Sequence, residues 1–305
     1  MNITERNAIL SSWIKPSSDN EKDQQERALR MVKEAIDAHP AFQGSKASYR
    51  IYAKGSYRNN TNVRRDSDVD IVVQLEECCY YGWRPNVTQP APNPSPYTGE
   101  WTRETWRAEV VKALQNKFGS KDVDISGKIA INVPALAGSR PSIDIVPSFK
   151  YYLYANTART SYDEGSCVWT TGLSEVVNYP GHQYDNGVAK NSATGGRYKN
   201  FVRVLKNAEN VLAKAGTIDE MPSYFMECLV YNVDDATLQK GDLSAGFKAT
   251  LIEVHSRLKN DATNRMLEPN EIKFLFHARQ KWTVAMGLKL INETWTYLGY
   301  GDDNG

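Results

Sequence analysis

The sequence predicts an α+β fold, with a strand-rich first half and a mostly helical second half. Short runs of branched apolar residues, which are typical of strands, occur before about residue 150. Apolar residues at helical spacing dominate after that point. The chain has 305 residues, of which 41% are hydrophobic, so it can bury a core as one large domain or two small ones. We predict two domains, over residues 1–160 and 161–305.

The first half is predicted to contain two helices and four strands. Helical spacing predicts a helix over residues 20–38, capped by Ser18-Asp19, and another over Arg103–Phe118. The predicted strands are, in chain order, Ser48–Ala53, Val69–Leu75, Lys128–Val133 and Ser142–Pro147. Five prolines within residues 84–102 predict an irregular loop.

The second half is predicted to be helical. Strand patterns fade beyond about residue 150, and no internal repeat or low-complexity tract is present. The expected helices cover residues 197–214, 222–233, 243–260 and 270–298.

Composition argues against several classes of protein. The formal net charge of +1 gives no sign of binding to long nucleic acid or to a membrane surface. The segment Met1–Trp13 lacks a signal-peptide pattern, and the apolar runs fall short of the roughly 20 residues that span a bilayer. No C-x-x-C spacing supports a zinc site or a disulfide framework among the four cysteines, which are Cys78, Cys79, Cys167 and Cys228. We therefore expect a cytoplasmic protein with reduced thiols and no membrane partner.

Two acids interrupt the second predicted strand. Because side chains alternate along a strand, Asp68 and Asp70 share one face, while the branched residues between and after them share the other. Two neighbouring carboxylates repel each other unless a cation lies between them. Mg²⁺ is the usual ion, since it prefers one or two carboxylates together with phosphate oxygens. A D-x-D pattern alone fits two exposed acids at a strand end equally well.

A Gly-Ser pair upstream favours the metal-site interpretation. Gly55 allows close approach of the backbone to a ligand, and the Ser56 hydroxyl is suited to phosphate oxygens. Ser56 lies 12 residues before Asp68, which leaves room for a turn and a return into the adjacent strand. The segment is also locally basic, as a triphosphate would favour, although each cation alone fits a solvated surface position; the basic residues are Lys54, Arg58, Arg64 and Arg65.

A third acid repeats the design. In Ser142–Pro147, Asp144 occupies one face and two isoleucines occupy the other. If this strand lies beside the first, three carboxylates line one site, as two-metal phosphoryl transfer requires, with Mg²⁺ or its substitute Mn²⁺. A second Gly-Ser and D-x-D, within residues 119–124, are only two residues apart, and we interpret them as a turn with solvated acids. Asp66 is expected in a loop.

These motifs resemble those of the DNA polymerase β-type nucleotidyltransferase superfamily. Within it, the chain resembles the bacterial cGAS/DncV-like enzymes, through the 182–206 segment and through Pro222-Ser223-Tyr224-Phe225-Met226-Glu227. The resemblance covers roughly residues 45–235. It implies a polymerase β-like core of mixed sheet and helices, a helical C-terminal domain, and an active site in the cleft between them.

The resemblance also implies an activity. Such enzymes join nucleoside triphosphates, as donor and acceptor, into cyclic oligonucleotides that a downstream effector senses in anti-phage defence. Asp68, Asp70 and Asp144 would hold two Mg²⁺ ions.

Further contacts to the nucleotide are implied by the resemblance. Gly55, Ser56, Lys206 and Ser223 would contact the donor triphosphate, and Tyr224 would stack on a base. Without the resemblance, Lys206 fits a solvated helical lysine, Ser223 a helix cap and Tyr224 a core aromatic. Arg197 and Lys199 would reach phosphates or solvent.

Two departures limit the partners. The chain has no Cys/His cluster like the zinc thumb of the animal enzyme, and no lysine-rich groove is evident. Long nucleic acid is therefore not expected as activator or substrate. The alternatives are transfer of a nucleotide to an RNA end, a protein or a small molecule, and a catalytically silent nucleotide-binding regulator.

The end of the chain is glycine-rich. The last helix should stop near Tyr297, and the run Leu298–Gly305 should be mobile. A frayed terminus explains such a run. The alternative, implied by the resemblance, is a tail whose terminal carboxylate a ubiquitin-ligase-like partner joins to other molecules.

Overall fold

The computed structural model describes residues 1–16, 19–44, 47–63, 68–89, 99–172, 174–260 and 265–301. Contacts divide the chain into two compact units. We call residues 18–57 and 66–181 the sheet unit, and residues 1–17, 58–65 and 182–305 the helical unit. This grouping differs from the linear division at residue 160, because the N-terminal segment joins the C-terminal helices and the strands continue to residue 178.

The sheet unit contains one six-stranded mixed sheet. Its strands are β1 (Tyr49–Ala53), β2 (Val69–Trp83), β3 (Ile131–Val133), β4 (Ile143–Tyr154), β5 (Tyr162–Trp169) and β6 (Glu175–Asn178). The order is β1-β2-β4-β5-β6, and β3 pairs with β4. Only the β2–β4 pairing is parallel among the described strands.

Helices α2 (Asp19–Asp37) and α4 (Arg103–Phe118) cover the apolar face of β2. The short α3 (Gly55–Arg58) follows β1. Val69, Ile71 and Val73 are fully buried on this face, and the Trp106 indole of α4 donates to the Val73 carbonyl oxygen at 3.3 Å. The predicted alternation of β2 is therefore confirmed. Ser18, the expected cap of α2, lies outside the described residues.

The sheet is larger than the sequence predicts. Strand β2 continues past a bulge between Leu75 and Cys79, and its second half carries aromatic side chains that pack across strands, such as Trp83 on Tyr154 with ring centroids 5.0 Å apart. The prediction that the Asp144 strand ends at Pro147 is wrong. Pro147 lies between the stretches of β4 that pair with β3 and with β5, a place where a strand tolerates a residue without an N–H.

The helical unit contains the remaining helices. They are α1 (Ile3–Trp13), α5 (Pro180–Ala193), α6 (Arg197–Lys214), α7 (Ser223–Tyr231), α8 (Asp235–Leu238), α9 (Leu243–Asn260) and α10 (Val284–Tyr297). The predicted limits of α6 and α9 are confirmed. The predicted helix over residues 270–298 is wrong in its first half, because Asn270 accepts from the backbone of the next turn and Thr283 caps α10. No helix in the described part of the chain is long and apolar enough to cross a membrane.

The residues after α10 are packed. Leu298 is fully buried and Tyr300 is 2% exposed, so the prediction of a mobile run from Leu298 onward is wrong for these positions. The Tyr300 hydroxyl donates to the Ser244 carbonyl oxygen at 3.2 Å. Residues 302–305, which include the expected C-terminal glycine, lie outside the described residues.

Two of the four cysteines have described side chains. Cys167 and Cys228 are buried and form no disulfide, as expected for reduced cysteines used as small core residues. The side chains of Cys78 and Cys79 lie outside the described part of the structure.

Candidate active site

The Gly-Ser turn lies directly against one of the paired acids. The Lys54 amide N–H donates to the Asp70 carbonyl oxygen at 2.9 Å, which continues the antiparallel pairing of β1 with β2. Gly55 then turns the chain with a φ of +72° and begins α3. A Cβ atom at this position would collide with Asp70 Oδ2. Glycine is therefore required both by the left-handed backbone and by the close approach of the carboxylate.

Asp70 and Asp144 lie opposite each other on neighbouring parallel strands. The register pairs Asp70 of β2 with Asp144 of β4, and such strands are about 4.8 Å apart. Asp68 immediately precedes β2 and is exposed, whereas the other two acids are half-buried. The adjacency of the two strands, on which the three-acid hypothesis depends, is confirmed.

The electrostatics of the three acids are unfavourable without a cation. Burial raises the pKa of Asp70, the Lys54 ammonium opposes this, and the Asp144 and Asp68 carboxylates raise the pKa further. Burial also raises the pKa of Asp144, the amide of Asn132 opposes this with a hydrogen bond, and Asp68 adds to the rise. Both strand acids are therefore held in an environment that disfavours their ionised form.

The acids fit a divalent cation that a nucleotide helps to coordinate. Among the described residues, no three His, Cys, Asp or Glu side chains are gathered closely enough to enclose a metal by themselves. Mg²⁺ does not need such a cage, since it takes one or two carboxylates and completes its shell with phosphate oxygens and water. Within the described part of the chain, no hydrogen-bond donor is recorded for the half-buried Asp70 carboxylate.

Asn132 was not singled out by the sequence. It lies on β3, opposite Asp144 in the antiparallel register, and its Nδ2 donates to Asp144 Oδ1 at 2.9 Å. The sequence contained one indication of this position. In the short run Ile131–Val133, Asn132 stands between two apolar residues, and alternation along a strand places it on the opposite face from them, which is the acidic face.

Ser56 and the second Gly-Ser pair have separate environments. Ser56 is half-buried in α3, next to Gly55. The second pair begins a single 3-10 turn over Ser120–Asp122. The turn is confirmed, but Asp122 is not simply solvated, because Arg140 donates to it at 2.8 Å. Arg64, Arg65 and Asp66 lie outside the described residues.

Lys206 lies inside the helical unit. Its side chain is 2% exposed, and Nζ donates to the Thr61 carbonyl oxygen at 3.0 Å and to Thr61 Oγ1 at 3.1 Å. Burial lowers the pKa of Lys206, and the nearby Glu227 carboxylate opposes that shift. The interpretation as a solvated helical lysine is therefore wrong, and the contact with a triphosphate stays a prediction.

Glu227 organises the polar surroundings of Lys206. Its carboxylate accepts from Asn59 at 3.0 Å, from Thr61 at 3.2 Å and from Gln183 at 2.9 Å, and one oxygen lies 4.0 Å from Lys206 Nζ. The sequence contained one indication of this role, a single acid within the otherwise apolar helix α7.

The other predicted contacts have mixed environments. Ser223 is the exposed first residue of α7, as its predicted helix start requires. Tyr224 is half-buried, its hydroxyl donates to Glu268 at 3.3 Å, and its ring packs edge-on against Trp282. Arg197 is half-buried and donates to two backbone carbonyl oxygens, at residues 241 and 242, and its contact with a phosphate stays a prediction.

Lys199 is half-buried on the same helix, α6, as Lys206. Burial lowers its pKa, and the Glu227 carboxylate opposes that shift.

The positions predicted to contact nucleotide are distributed over both units. Gly55 and Ser56 belong to the sheet unit, and Lys206, Ser223 and Tyr224 belong to the helical unit.

Comparison with known proteins identifies the family. The family model of the cGAS/DncV-like nucleotidyltransferase C-terminal helical domain matches residues 185–299. The chain is 33% identical to a cyclic dipyrimidine nucleotide synthase CdnE of Legionella pneumophila, over 94% of this chain and 95% of that protein. It is 29% identical to a cyclic dipurine nucleotide synthase of Elizabethkingia meningoseptica, over 98% of this chain and 100% of that protein.

Solved structures agree with this result. The Rhodothermus marinus CdnE c-UMP-AMP synthase, solved with Apcpp and Upnpp, matches with a TM-score of 0.80 at 28% identity and covers 98% of this chain and 97% of its own. The Elizabethkingia meningoseptica CdnE cyclic dinucleotide synthase, solved with GTP and Apcpp, gives a TM-score of 0.78, also at 28% identity, over 95% of this chain and 98% of its own. The mixed sheet and the C-terminal helices are those of the matched nucleotidyltransferase structures. The chain belongs to the cGAS/DncV-like nucleotidyltransferases.

Proposed function

We propose that this enzyme condenses two nucleoside triphosphates into a cyclic dinucleotide. The observation that carries the proposal is the placement of Gly55, Asp70 and Asp144 around one point of the sheet. The relatives support it, since they are named as synthases of cyclic dipyrimidine, dipurine and UMP-AMP products. The solved structures of two relatives contain triphosphates or their analogues, which supports nucleoside triphosphates as donor and acceptor.

The acids act as metal ligands in this proposal. Asp70 and Asp144, together with Asp68, hold two divalent cations, Mg²⁺ or Mn²⁺, at the acidic face of β2 and β4. When bound, such ions clamp the triphosphate and lower the pKa of the attacking ribose hydroxyl. The protein's own contribution is to fix Asp70 and Asp144 on neighbouring strands and, through Gly55, to let the backbone turn pack directly against the Asp70 carboxylate.

The remaining contacts orient the donor. Ser56 offers a hydroxyl beside the acids, and Ser223 offers one at the start of α7. Lys206 must exchange its bonds with Thr61 for bonds with phosphate, or act by holding Thr61 in place. Tyr224 stacks on a base only if its ring moves from its contact with Trp282.

The biological role that we propose is anti-phage signalling, in which an effector protein senses the cyclic product. The near-neutral net charge supports a reaction that requires no long nucleic acid.

The test is a reaction with all four nucleoside triphosphates and Mg²⁺, analysed by mass spectrometry after phosphatase treatment. A phosphatase-resistant product with no terminal phosphate, formed without any macromolecular acceptor, is expected. Labelled RNA or protein would instead support transfer to an acceptor, and binding without turnover would support a silent regulator.

The acids are tested by substitution. Replacing Asp68 and Asp70 together by Asn should abolish synthesis, whereas the Asp144→Asn variant should bind the donor but fail to form product. Near-normal turnover in either variant would contradict the assignment.

A further inference from the structure

We propose that Asn132 is a positioning residue that orients the Asp144 carboxylate toward the metal site. The inference rests on the proposed function, because it assigns Asp144 to a divalent cation. Three features carry it: the backbone anchoring of Asn132, the direction of its hydrogen bond, and the contrast with Asp70.

The backbone of Asn132 is anchored on both sides. On one side, β3 pairs with β4 and places Asn132 opposite Asp144. On the other side, the Asn132 N–H donates to the Asp124 carbonyl oxygen at 2.9 Å, and the Asp124 N–H donates back at 2.8 Å. A residue held by a strand pairing on one side and by a two-bond bridge on the other has little freedom to shift, so its side chain provides a fixed reference point for its neighbour.

The hydrogen bond between the side chains has one direction. Asn132 Nδ2 donates to Asp144 Oδ1 at 2.9 Å and also lies 3.3 Å from Ser142 Oγ. An ionised carboxylate only accepts, so the amide nitrogen must face Asp144 and the orientation of the amide is determined. Oδ1 is thereby occupied, and Oδ2 has no other recorded donor within the described residues.

The two strand acids are therefore held differently. The position of Asp70 is limited by the backbone of Gly55, and no donor among the described residues is recorded for its carboxylate. Asp144 has a neutral donor that restricts rotation of its carboxylate without adding a competing cation. Partners that hydrogen-bond to metal ligands typically contribute 10–100-fold to metal affinity or activity.

The experiment compares Asn132→Leu, which is similar in size but has no donor, with Ser142→Ala, which removes the second contact of Asn132 and leaves Asp144 untouched. Mn²⁺ affinity is measured by electron paramagnetic resonance in the presence of a non-hydrolysable triphosphate, and turnover is measured separately.

We expect Asn132→Leu to weaken Mn²⁺ binding and to lower turnover by 10–100-fold. Ser142→Ala should stay within about threefold of the parent. In the Asp144→Asn background, Asn132→Leu should have no further effect on Mn²⁺ affinity.

The outcomes separate this inference from the proposed function. If the Asn132→Leu variant binds Mn²⁺ as tightly as the parent while the Asp144→Asn variant binds it more weakly, only the role of Asn132 is overturned. If the Asp144→Asn variant also binds Mn²⁺ as tightly as the parent, both the role of Asn132 and the metal-ligand role of Asp144 are overturned. Asn132→Ala, which also has no side-chain donor, replaces Asn132→Leu and is measured in the same way if the leucine variant does not show the parent's thermal unfolding transition.

Discussion

At the scale of single residues, Gly55 packs directly against Asp70 of the candidate site. Its backbone adopts a φ that other residues rarely adopt, and its missing side chain leaves space for the Asp70 carboxylate. Gly138 has nearly the same φ, +73°, but among the described residues no atom beyond its chain neighbours lies within 4 Å of where its Cβ would be. The pair therefore allows the backbone effect to be separated from the collision with Asp70.

We expect Gly55→Ala and Gly138→Ala both to lower the free energy of unfolding, by about 1–2 kcal/mol, because each places a side chain on left-handed backbone. Only Gly55→Ala should also displace Asp70 and abolish synthesis. Thermal unfolding and turnover of both variants check this. Equal turnover of the two variants would show that the close approach to Asp70 is not required.

The raised pKa of Asp70 predicts an unusual effect on stability. An Asp titrates near pH 3.9 in an unfolded chain, and its pKa is higher in the folded protein. At pH values between the two pKa values, the folded state binds more protons at Asp70 than the unfolded state does. The metal-free protein therefore loses stability as the pH rises through this range, and the loss remains at higher pH. Asp70→Asn should therefore raise the free energy of unfolding of the metal-free protein at pH 7, with the gain shrinking as the pH falls toward 3.9.

The measurement is thermal unfolding of parent and variant from pH 4 to 8, with and without Mn²⁺. Mn²⁺ should stabilise the parent more than the variant, because the metal binds the folded state of the parent more tightly. A variant that is less stable than the metal-free parent at pH 7 would contradict the prediction.

At the scale of helices and strands, α6 and α7 are joined through a buried charge pair. Lys206 of α6 and Glu227 of α7 are 2% and 3% exposed, and Thr61 bridges them by accepting from the lysine and donating to the carboxylate. Removing one partner leaves the other buried without compensation, which is costly.

We expect Lys206→Met to destabilise the protein by about 3–5 kcal/mol, and the double variant Lys206→Met/Glu227→Gln to cost less than the sum of the single changes. Lys214→Met, at an exposed position of the same helix, is the control and should cost less than about 0.5 kcal/mol. Denaturant unfolding measures the free energy of unfolding of Lys206→Met, Glu227→Gln, the double variant and Lys214→Met. If the losses of the two single variants add up to the loss of the double variant, the Lys206 and Glu227 side chains do not interact.

Donor affinity tests the second predicted role of Lys206. If it also contacts the triphosphate, Lys206→Met should weaken binding of a non-hydrolysable triphosphate by about 1.5–3 kcal/mol under conditions in which the variant is folded. Calorimetry on the folded variant separates this loss from the loss of stability. Binding as tight as the parent's would leave Lys206 with a structural role only.

At the scale of the whole chain, α1 is bonded within the helical unit to the residues that directly follow α10. Arg6 of α1 is 3% exposed; its guanidinium donates to Ser244 Oγ and to the carbonyl oxygens of Leu298 and Gly299, and it lies 4.4 Å from the ring centre of Tyr300. A planar cation with several donors suits the unpaired carbonyl groups at a helix C-terminus.

We expect Arg6→Met to lower the free energy of unfolding by about 2–3 kcal/mol, because it removes charge-assisted hydrogen bonds to buried carbonyl groups. Arg6→Lys should recover only part of this loss, since lysine lacks the planar fork of donors. Lys15→Met, an exposed cation in the same N-terminal segment, is the control. An Arg6→Met variant as stable as this control would contradict the proposed anchoring.

The buried position of Tyr300 also determines how the tail should be tested. Deleting residues 302–305 spares the packed residues, so synthesis by the purified enzyme should be intact, whereas a deletion from residue 300 should destabilise the helical unit. If a ubiquitin-ligase-like partner acts on the terminal carboxylate, the shorter deletion abolishes protection in cells and high-mass conjugates. Full protection without residues 302–305 would leave the end as a frayed terminus.

The sequence by itself determined the features that depend on local pattern. The limits of α4, α6 and α9 followed from helical spacing, and the alternation of acids and branched residues placed Asp70 and Val69 on opposite faces of β2. The spacing of Ser56 and Asp68 left room for a turn and a return into the adjacent strand, and β1 and β2 do pair as antiparallel neighbours. Each of these inferences uses residues that are close in sequence, where side-chain periodicity and backbone sterics suffice.

Only the tertiary structure decided the features that depend on distant partners. Strands β5 and β6 and the second halves of β2 and β4 carry aromatic and polar residues, which become strand by pairing with one another. The burial of Lys206 depends on Thr61 and Glu227, and the hydrogen bond from Asn132 to Asp144 depends on the pairing of β3 with β4. No local periodicity specifies such contacts, because they form only once the sheet and the helical core have brought separate segments together.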